Sequence, residues 1–274
     1  MSNLLALKNR KKVIDTIYRA SSAMKVAASM RVRKTENYEN EFKASLSLLE
    51  NHSSEILESL FLQFVMNVNA NFHANILIGA DSGMCGDFLN IVKNYFKSQK
   101  QNDNSNNKFW LVFGSKLELF CNNSDILYFG KISIESSDLF SNAEKLWNFF
   151  SENLINSLTI HYYMKNEIKQ KTIFSKELLE AAYMENEYIK NKAVKNMKVD
   201  LDLISKDYGI LYLAAHLYSS FVANIYEENK QRVIAMSQAK NNAESMGKII
   251  DRLYNRARQE KITMELNEIT AGII

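Results

Sequence analysis

The sequence predicts an α/β protein: a long antiparallel two-helix coiled coil from the N- and C-terminal segments, plus a small central Rossmann-like α/β domain. Three observations lead there. The chain has no proline, no glycine before Gly79, and only Gly209, Gly247 and Gly272 in its last seventy residues. Helices of the length this permits are unusual in globular domains. Apolar residues also recur at heptad spacing at both ends, while the middle alternates short apolar runs with helical stretches. The expected boundaries are 1–59 for the first helix, 72–180 for the α/β domain and 203–274 for the last helix.

In the first helix, Val13, Ile17, Ala20, Met24 and Ala27 recur at spacings of 4, 3, 4 and 3. This narrow stripe predicts a coiled-coil seam, and it resumes at Tyr38, Phe42, Leu46 and Leu49. A helix over Ser2–Ser59 would extend about 85 Å, with Ser2 and Asn3 as candidate N-caps. Ala20, Ala23, Ala27 and Ala28 would let another helix approach closely.

The middle begins with a buried strand at Asn75–Ala80. A tight turn follows at Asp81–Gly86, then a helix over Asp87–Lys97 and a polar loop at 99–108. Strands are expected at Phe109–Phe113 and Ile126–Phe129, with a short helix at Ser115–Cys121 between them. A helix over Ser137–Asn153, with Ser137 as its cap, precedes strands Leu158–Met164 and Ile168–Phe174, which a hairpin turn joins. Tyr183–Asp202 has weak patterning and reads as a linker or a solvated helix.

In the last helix, expected from Leu203 to Thr270, the stripe is Val233, Met236, Ala239, Ala243, Met246, Ile250, Leu253 and Ala257. Gly209 and Gly247 each cost such a helix about 1 kcal/mol relative to alanine. Two seams at opposite ends of one chain pair most simply with each other, antiparallel; self-association between chains is the alternative.

Composition narrows the function. Hydrophobic residues make up 46% and charged residues 24% of the chain, enough for a folded core. No apolar run approaches the roughly 20 residues of a membrane span, and Met1–Val13 lacks a signal-peptide pattern. Cys85 and Cys121 form neither a disulfide framework nor a zinc pattern. Residues 1–34 carry nine cations against Asp15 alone, a net +8 within a chain of net +3. Such a basic helix suits nucleic acid, a membrane surface or an acidic protein surface, or is simply a solvated face.

Motifs for chemistry are missing. Gly79, Gly83 and Gly86 do not fit G-x-G-x-x-G, and no phosphate-binding loop of the G-x-x-x-x-G-K-[ST] type occurs. Cys85 stands near a helix start without a nearby histidine and reads as a buried thiol. His52, His73, His161 and His216 are scattered, so no metal site is expected. Glu227 and Glu228 read as solvated charges on a helix face. No nucleophile, base and oxyanion donors converge; no catalytic residue and no cofactor is expected.

Ala23-Met-Lys-Val-Ala-Ala-Ser29, followed by Arg31, Arg33 and Lys34, resembles the N-terminal helix of the gamma subunit of F-type ATP synthases. Ala80-Asp-Ser-Gly-Met-Cys-Gly86 resembles that family's glycine turn, with Ser82 where arginine is usual. Arg232–Met236, Asn241-Asn-Ala243, Tyr254–Gln259, Ile262-Thr263 and Glu265–Ile269 resemble its C-terminal signature, with Asn241 where aspartate is common. The family's prolines before the C-terminal helix are missing. Near Lys25 the chain is one residue shorter than the family pattern.

The resemblance implies the central shaft of a rotary motor, a non-catalytic subunit coupling ion-driven rotation to ATP synthesis. The implied partners are three alpha and three beta subunits, the epsilon subunit and the membrane c ring, with no nucleic acid and no membrane insertion. The implied location is peripheral, on the cytoplasmic face of a bacterial inner membrane or the matrix side in mitochondria. Arg258, Gln259, Thr263, Glu265 and Glu268 match positions that grip a beta-subunit loop. Met24, Lys25 and Arg31 would face beta near its acidic lever. Ile269, Ile273 and Ile274 would form an apolar tip in a hydrophobic bearing. Two rival readings are a basic coiled-coil module that binds nucleic acid and a small nucleotide-binding enzyme.

Overall fold

The computed structural model describes residues 2–51, 72–101, 108–121, 126–153, 155–175, 177 and 201–272. The chain forms two compact units, one of residues 1–30 with 230–274 and one of residues 31–229. The two terminal helices, α1 (Ser2–Asn51) and α5 (Leu201–Ala271), each contribute to both units. Helix α1 already includes Ser2 and Asn3, and the expected stretch 52–59 lies outside the described residues, as do 102–107 and 183–200 of the expected loop and linker.

The larger unit is a five-stranded sheet in the order β3-β2-β1-β4-β5. Its elements are β1 (Phe72–Ile78), α2 (Phe88–Gln101), β2 (Lys108–Phe113), α3 (Ser115–Cys121), β3 (Ile126–Gly130), α4 (Ser136–Glu152), β4 (Ile155–Met164) and β5 (Glu167–Phe174). Strands β1 to β4 run parallel, as strands joined through helices must, and β5 returns antiparallel. Lys165 and Asn166 make that hairpin with φ of 52° and 65°, the paired left-handed conformations of a two-residue turn whose twist matches the strands. Helix α4 starts one residue before the expected cap: Glu135 occupies the cap position without a side-chain bond, so Ser137 lies in the first turn.

Side chains alternate across the sheet and build two cores. Ala74, Ile76, Ile78, Leu111 and Phe113 face α4 and the first part of α5, where Leu146, Trp147, Phe150, Leu213, Leu217 and Phe221 pack. Leu77, Trp110, Val112 and Tyr163 face α2, with Phe88, Val92 and Phe96. Both sheet faces are therefore covered, which explains the continuous apolar run in β1.

Asp81 anchors the glycine turn to its neighbours. Asp81 accepts hydrogen bonds from Ser115 N (2.8 Å), Ser115 Oγ (2.9 Å) and Ile132 N (2.9 Å). Gly114 has φ of +114°, and a Cβ there would lie 2.8 Å from Ala80 N, so only glycine permits this close approach. Cys85 is buried, as expected for an inert thiol.

Glu227 and Glu228 correct the solvated-face reading, for both are buried. Glu227 Oε1 accepts from Lys165 N at 3.1 Å, and Glu228 Oε1 accepts from Ser82 Oγ at 3.4 Å. Each thus reaches a chain turn of the sheet unit. The pattern missed this because paired glutamates on a helix otherwise signal exposure.

The two helical glycines are contact points. A Cβ on Gly209 would overlap the Trp147 ring, whereas a Cβ on Gly247 would meet Ile14 Cγ2 at an ordinary 3.7 Å. Gly209→Ala is therefore expected to destabilise the chain by about 1–3 kcal/mol through overpacking. Gly247→Ala is expected to stabilise it by up to about 1 kcal/mol through helix propensity. Urea unfolding of both full-length variants reads the opposite signs.

His161 is buried and neutral. Its Nδ1 accepts from the Tyr95 hydroxyl (2.9 Å), and its Nε2–H donates to Asn75 Oδ1 (3.1 Å). Burial lowers its pKa to about 4. Between pH 6.5 and 4 the unfolded chain binds a proton there that the folded chain does not, so stability rises with pH through this window. Acidifying from pH 7 to 4 is expected to cost about 3 kcal/mol at this site. His161→Gln is expected to give a shallower pH dependence in denaturant titrations.

Candidate partner-binding surface of the paired helices

The smaller unit is built by two helices alone, so a narrow seam must hold it. Four contacts fix the pairing. Lys11 Nζ lies 2.6 Å from Asp251 Oδ1, and Ile14 packs onto Gly247. Lys240 Nζ sits 5.3 Å from the centre of the Tyr18 ring, and Lys25 Nζ donates to Ser237 Oγ at 3.2 Å. As α1 advances, its partners on α5 retreat, so the helices are antiparallel.

The seam repeats every seven residues, but one residue away from the expected stripe on α1. Leu7, Ser21 and Ala28 are buried and Ile14 half-buried, with Tyr18 and Lys25 beside them. Val13, Ile17 and Met24 are 58%, 47% and 40% exposed, and Ala20 and Ala27 are exposed too. One residue is about 100° of helix face, so the expected seam is turned outward. Hydropathy favoured it because the true seam contains Ser21, Lys25 and Ala28, whose small or mixed side chains allow close approach but carry little apolar signal.

On α5 the expected stripe is half inside. Met236 and Ala243 are buried, and Val233, Ala239, Ile250 and Ala257 half-buried. Met246 and Leu253 point outward at 57% and 46% exposure, and Lys240, Gly247 and Tyr254 take their places.

Past Ala257 the pairing ends. Every residue from 258 to 272 is exposed, so this end of α5 is a single helix. It carries Arg258, Gln259, Thr263, Glu265 and Glu268, all exposed. Their bonds are local: Thr263 Oγ1 donates to Gln259 O (3.0 Å), and Glu265 pairs with Lys261 at 3.3 Å. Exposed ion pairs of this kind contribute little, so both polar groups can exchange them for a partner. Ile269 is 61% exposed; Ile273 and Ile274 lie outside the described residues.

The structure adds Ile262, Met264 and Leu266, exposed by 47%, 62% and 59%. Ile262, Leu266 and Ile269 follow one another by four and three, a single apolar stripe on an unpaired helix. Their spacing is visible in the sequence alone. Contiguous exposed apolar surface marks a place where another molecule sits.

Met24 and Lys25 lie apart from this end. Met24 is on the outward stripe with Val13 and Ile17, among the exposed cations Lys8, Arg10, Lys12 and Arg19. Lys25 is half-buried and committed to Ser237. Arg31 belongs to the larger unit, where it and Lys34 are exposed and line a hollow with Thr35, Tyr38 and Glu228.

Among the described residues, no three His, Cys, Asp or Glu side chains come together as metal ligands would. The arrangement offers docking chemistry: apolar ridges, outward cations and a bare helix end.

A family model described as ATP synthase matches residues 3–273. Curated relatives include an ATP synthase gamma chain from Campylobacter lari, 27% identical over 292 residues that span all of this chain and 99% of that one. Another, from Ehrlichia ruminantium strain Gardel, is 25% identical over 296 residues, covering 99% and 98%. Among solved structures, the rotor of the Euglena gracilis mitochondrial ATP synthase aligns with TM-score 0.62 and 11% identity over 95% of this chain and 99% of that one. The central stalk and c-ring of the Tetrahymena thermophila enzyme gives TM-score 0.55 and 17% identity over 80% and 99%. At these identities the structural likeness establishes a shared fold.

Proposed function

The chain belongs to the ATP synthase family, among its gamma chains, and on that premise we propose that it turns as the central shaft while catalysing nothing itself. In this reading ATP binds at alpha and beta subunits, three of each, which surround the paired helices. The sheet unit meets the epsilon subunit and the c ring. The chain is then peripheral, on the cytoplasmic face of a bacterial inner membrane. The described residues contain no helix long and apolar enough to cross a membrane, which agrees with that placement.

The observation that carries the reading is the bare end of α5. A helix segment of this length is marginal alone in water, yet it displays Ile262, Leu266 and Ile269 beside Arg258, Gln259, Thr263, Glu265 and Glu268. In this reading the apolar residues turn in a hydrophobic bearing, with Ile273 and Ile274 at the tip, while the polar ones grip a beta-subunit loop. Met24, Lys25 and Arg31 act lower on α1, where the basic segment meets the acidic lever of beta. Lys25 reaches it only by releasing Ser237.

The mechanism is differential contact. Two unlike helices have no threefold symmetry, so each of three equal sites meets a different side of the shaft. Moving a site from 1:99 to 99:1 between open and closed needs about 5.5 kcal/mol of differential interaction. Burying two to four large apolar side chains, at about 1.5–3 kcal/mol each, is of the required size. Rotation then changes which site is favoured.

Mixed apolar and cationic residues on the outer face of α1 suit protein docking better than a nucleic-acid interface, which would set cations and aromatic side chains along a phosphate track.

Replacing Arg258 and Gln259 together with alanine is expected to weaken assembly with alpha and beta, or coupled ATP synthesis, by about tenfold, the effect of two lost polar contacts. Normal complex yield together with normal coupled synthesis would sink the assignment.

A further inference from the structure

Turning as one body requires that α5 not rotate on the sheet to which it is attached. We propose that Asn224, Glu227 and Glu228 are the key that locks α5 to the sheet and carries torque between them, an inference that rests on the shaft reading. They are positioning residues: none touches nucleotide or a reacting atom.

The contact between α5 and the sheet has two chemistries. From Leu213 to Phe221 it is mainly apolar, though His216 and Ser220 are buried there too, and Phe221 lies edge-on to Phe113 at 5.1 Å between ring centres. Such burial is strong but has no preferred direction, so a helix can repack on it after a small rotation. From Asn224 the contact becomes polar and directional. Asn224 is fully buried. Its Nδ2 donates to Gly79 O at 2.7 Å and its Oδ1 accepts from Tyr163 N at 3.1 Å. One amide thus grips β4 and the end of β1, which are neighbours in the sheet.

Glu227 and Glu228 follow at the third and fourth positions, on the same helix face. Glu227 holds the backbone of the β4–β5 turn through Lys165 N. Glu228 holds the glycine turn through Ser82 Oγ, and Asp81 ties that turn to Ser115 and Ile132. Rotating α5 by one residue would break all of these bonds together, leaving buried polar groups without partners. That cooperativity distinguishes a key from general adhesion.

The test uses the assembled complex in sealed vesicles, measuring ATP hydrolysis and ATP-driven ion pumping on the same preparation. Asn224→Leu keeps the branched side-chain skeleton and removes both bonds. Glu227→Leu removes the turn contact, and Glu227→Gln keeps an acceptor oxygen in place. The expected result is near-parental hydrolysis, with pumping per ATP hydrolysed reduced about threefold or more in both leucine variants, the order of one lost hydrogen bond. Glu227→Gln should restore the ratio. If Asn224→Leu fails to assemble, the Leu and Gln variants at Glu227 decide the question alone. A ratio equal to the parent's in the assembled leucine variants overturns the key, as does a Glu227→Gln ratio as low as that of Glu227→Leu. Parent complexes that hydrolyse ATP without pumping would overturn the shaft reading and the key with it, a distinct outcome.

Discussion

The register in which small residues meet between the two long helices sets the rest of the surface. Ile14 can sit on Gly247, and Ser21, Ala28, Met236 and Ala243 can be buried, only when the helices approach closely. That register decides which apolar residues are buried inside the protein and which remain exposed. Val13, Ile17, Met24, Met246 and Leu253 are left outside by it, and the helix beyond Ala257 is left without a companion.

A shaft needs this division of labour. Its internal seam must hold two helices together without consuming the residues that press on its surroundings. Small side chains solve the problem because close backbone approach gives many weak contacts from little side-chain area. The larger unit uses a different solution. There a doubly covered sheet supplies the apolar mass, and directional bonds from Asp81, Asn224, Glu227 and Glu228 fix the turns and α5 in place.

Much of this was legible in the sequence, for stated physical reasons. The absence of proline and the sparse glycine left little besides long helices at the ends. The run at Phe109–Phe113, the hairpin turn after Met164 and the helix at Ser115–Cys121 fell where their chemistry places them, whereas the first strand is Phe72–Ile78, three residues earlier at its start than the expected Asn75–Ala80. The face of α1 did not. Apolar periodicity cannot distinguish a seam from an outward apolar ridge, since both are stripes of the same period; here they lie one residue apart. The buried pair Glu227 and Glu228 was hidden for a related reason, because their acceptors' partners are Lys165 and Ser82, far away along the chain. The C-terminal site residues were named through resemblance, while Ile262 and Leu266 emerged only when the helix proved to be unpaired.

The most direct measurement is co-expression of the full chain with alpha and beta subunits from the same source, followed by gel filtration with stoichiometry and an ATPase assay. The account predicts a stable particle of three alpha, three beta and one copy of this chain that hydrolyses ATP. Competent alpha and beta subunits that elute apart from this chain would contradict it.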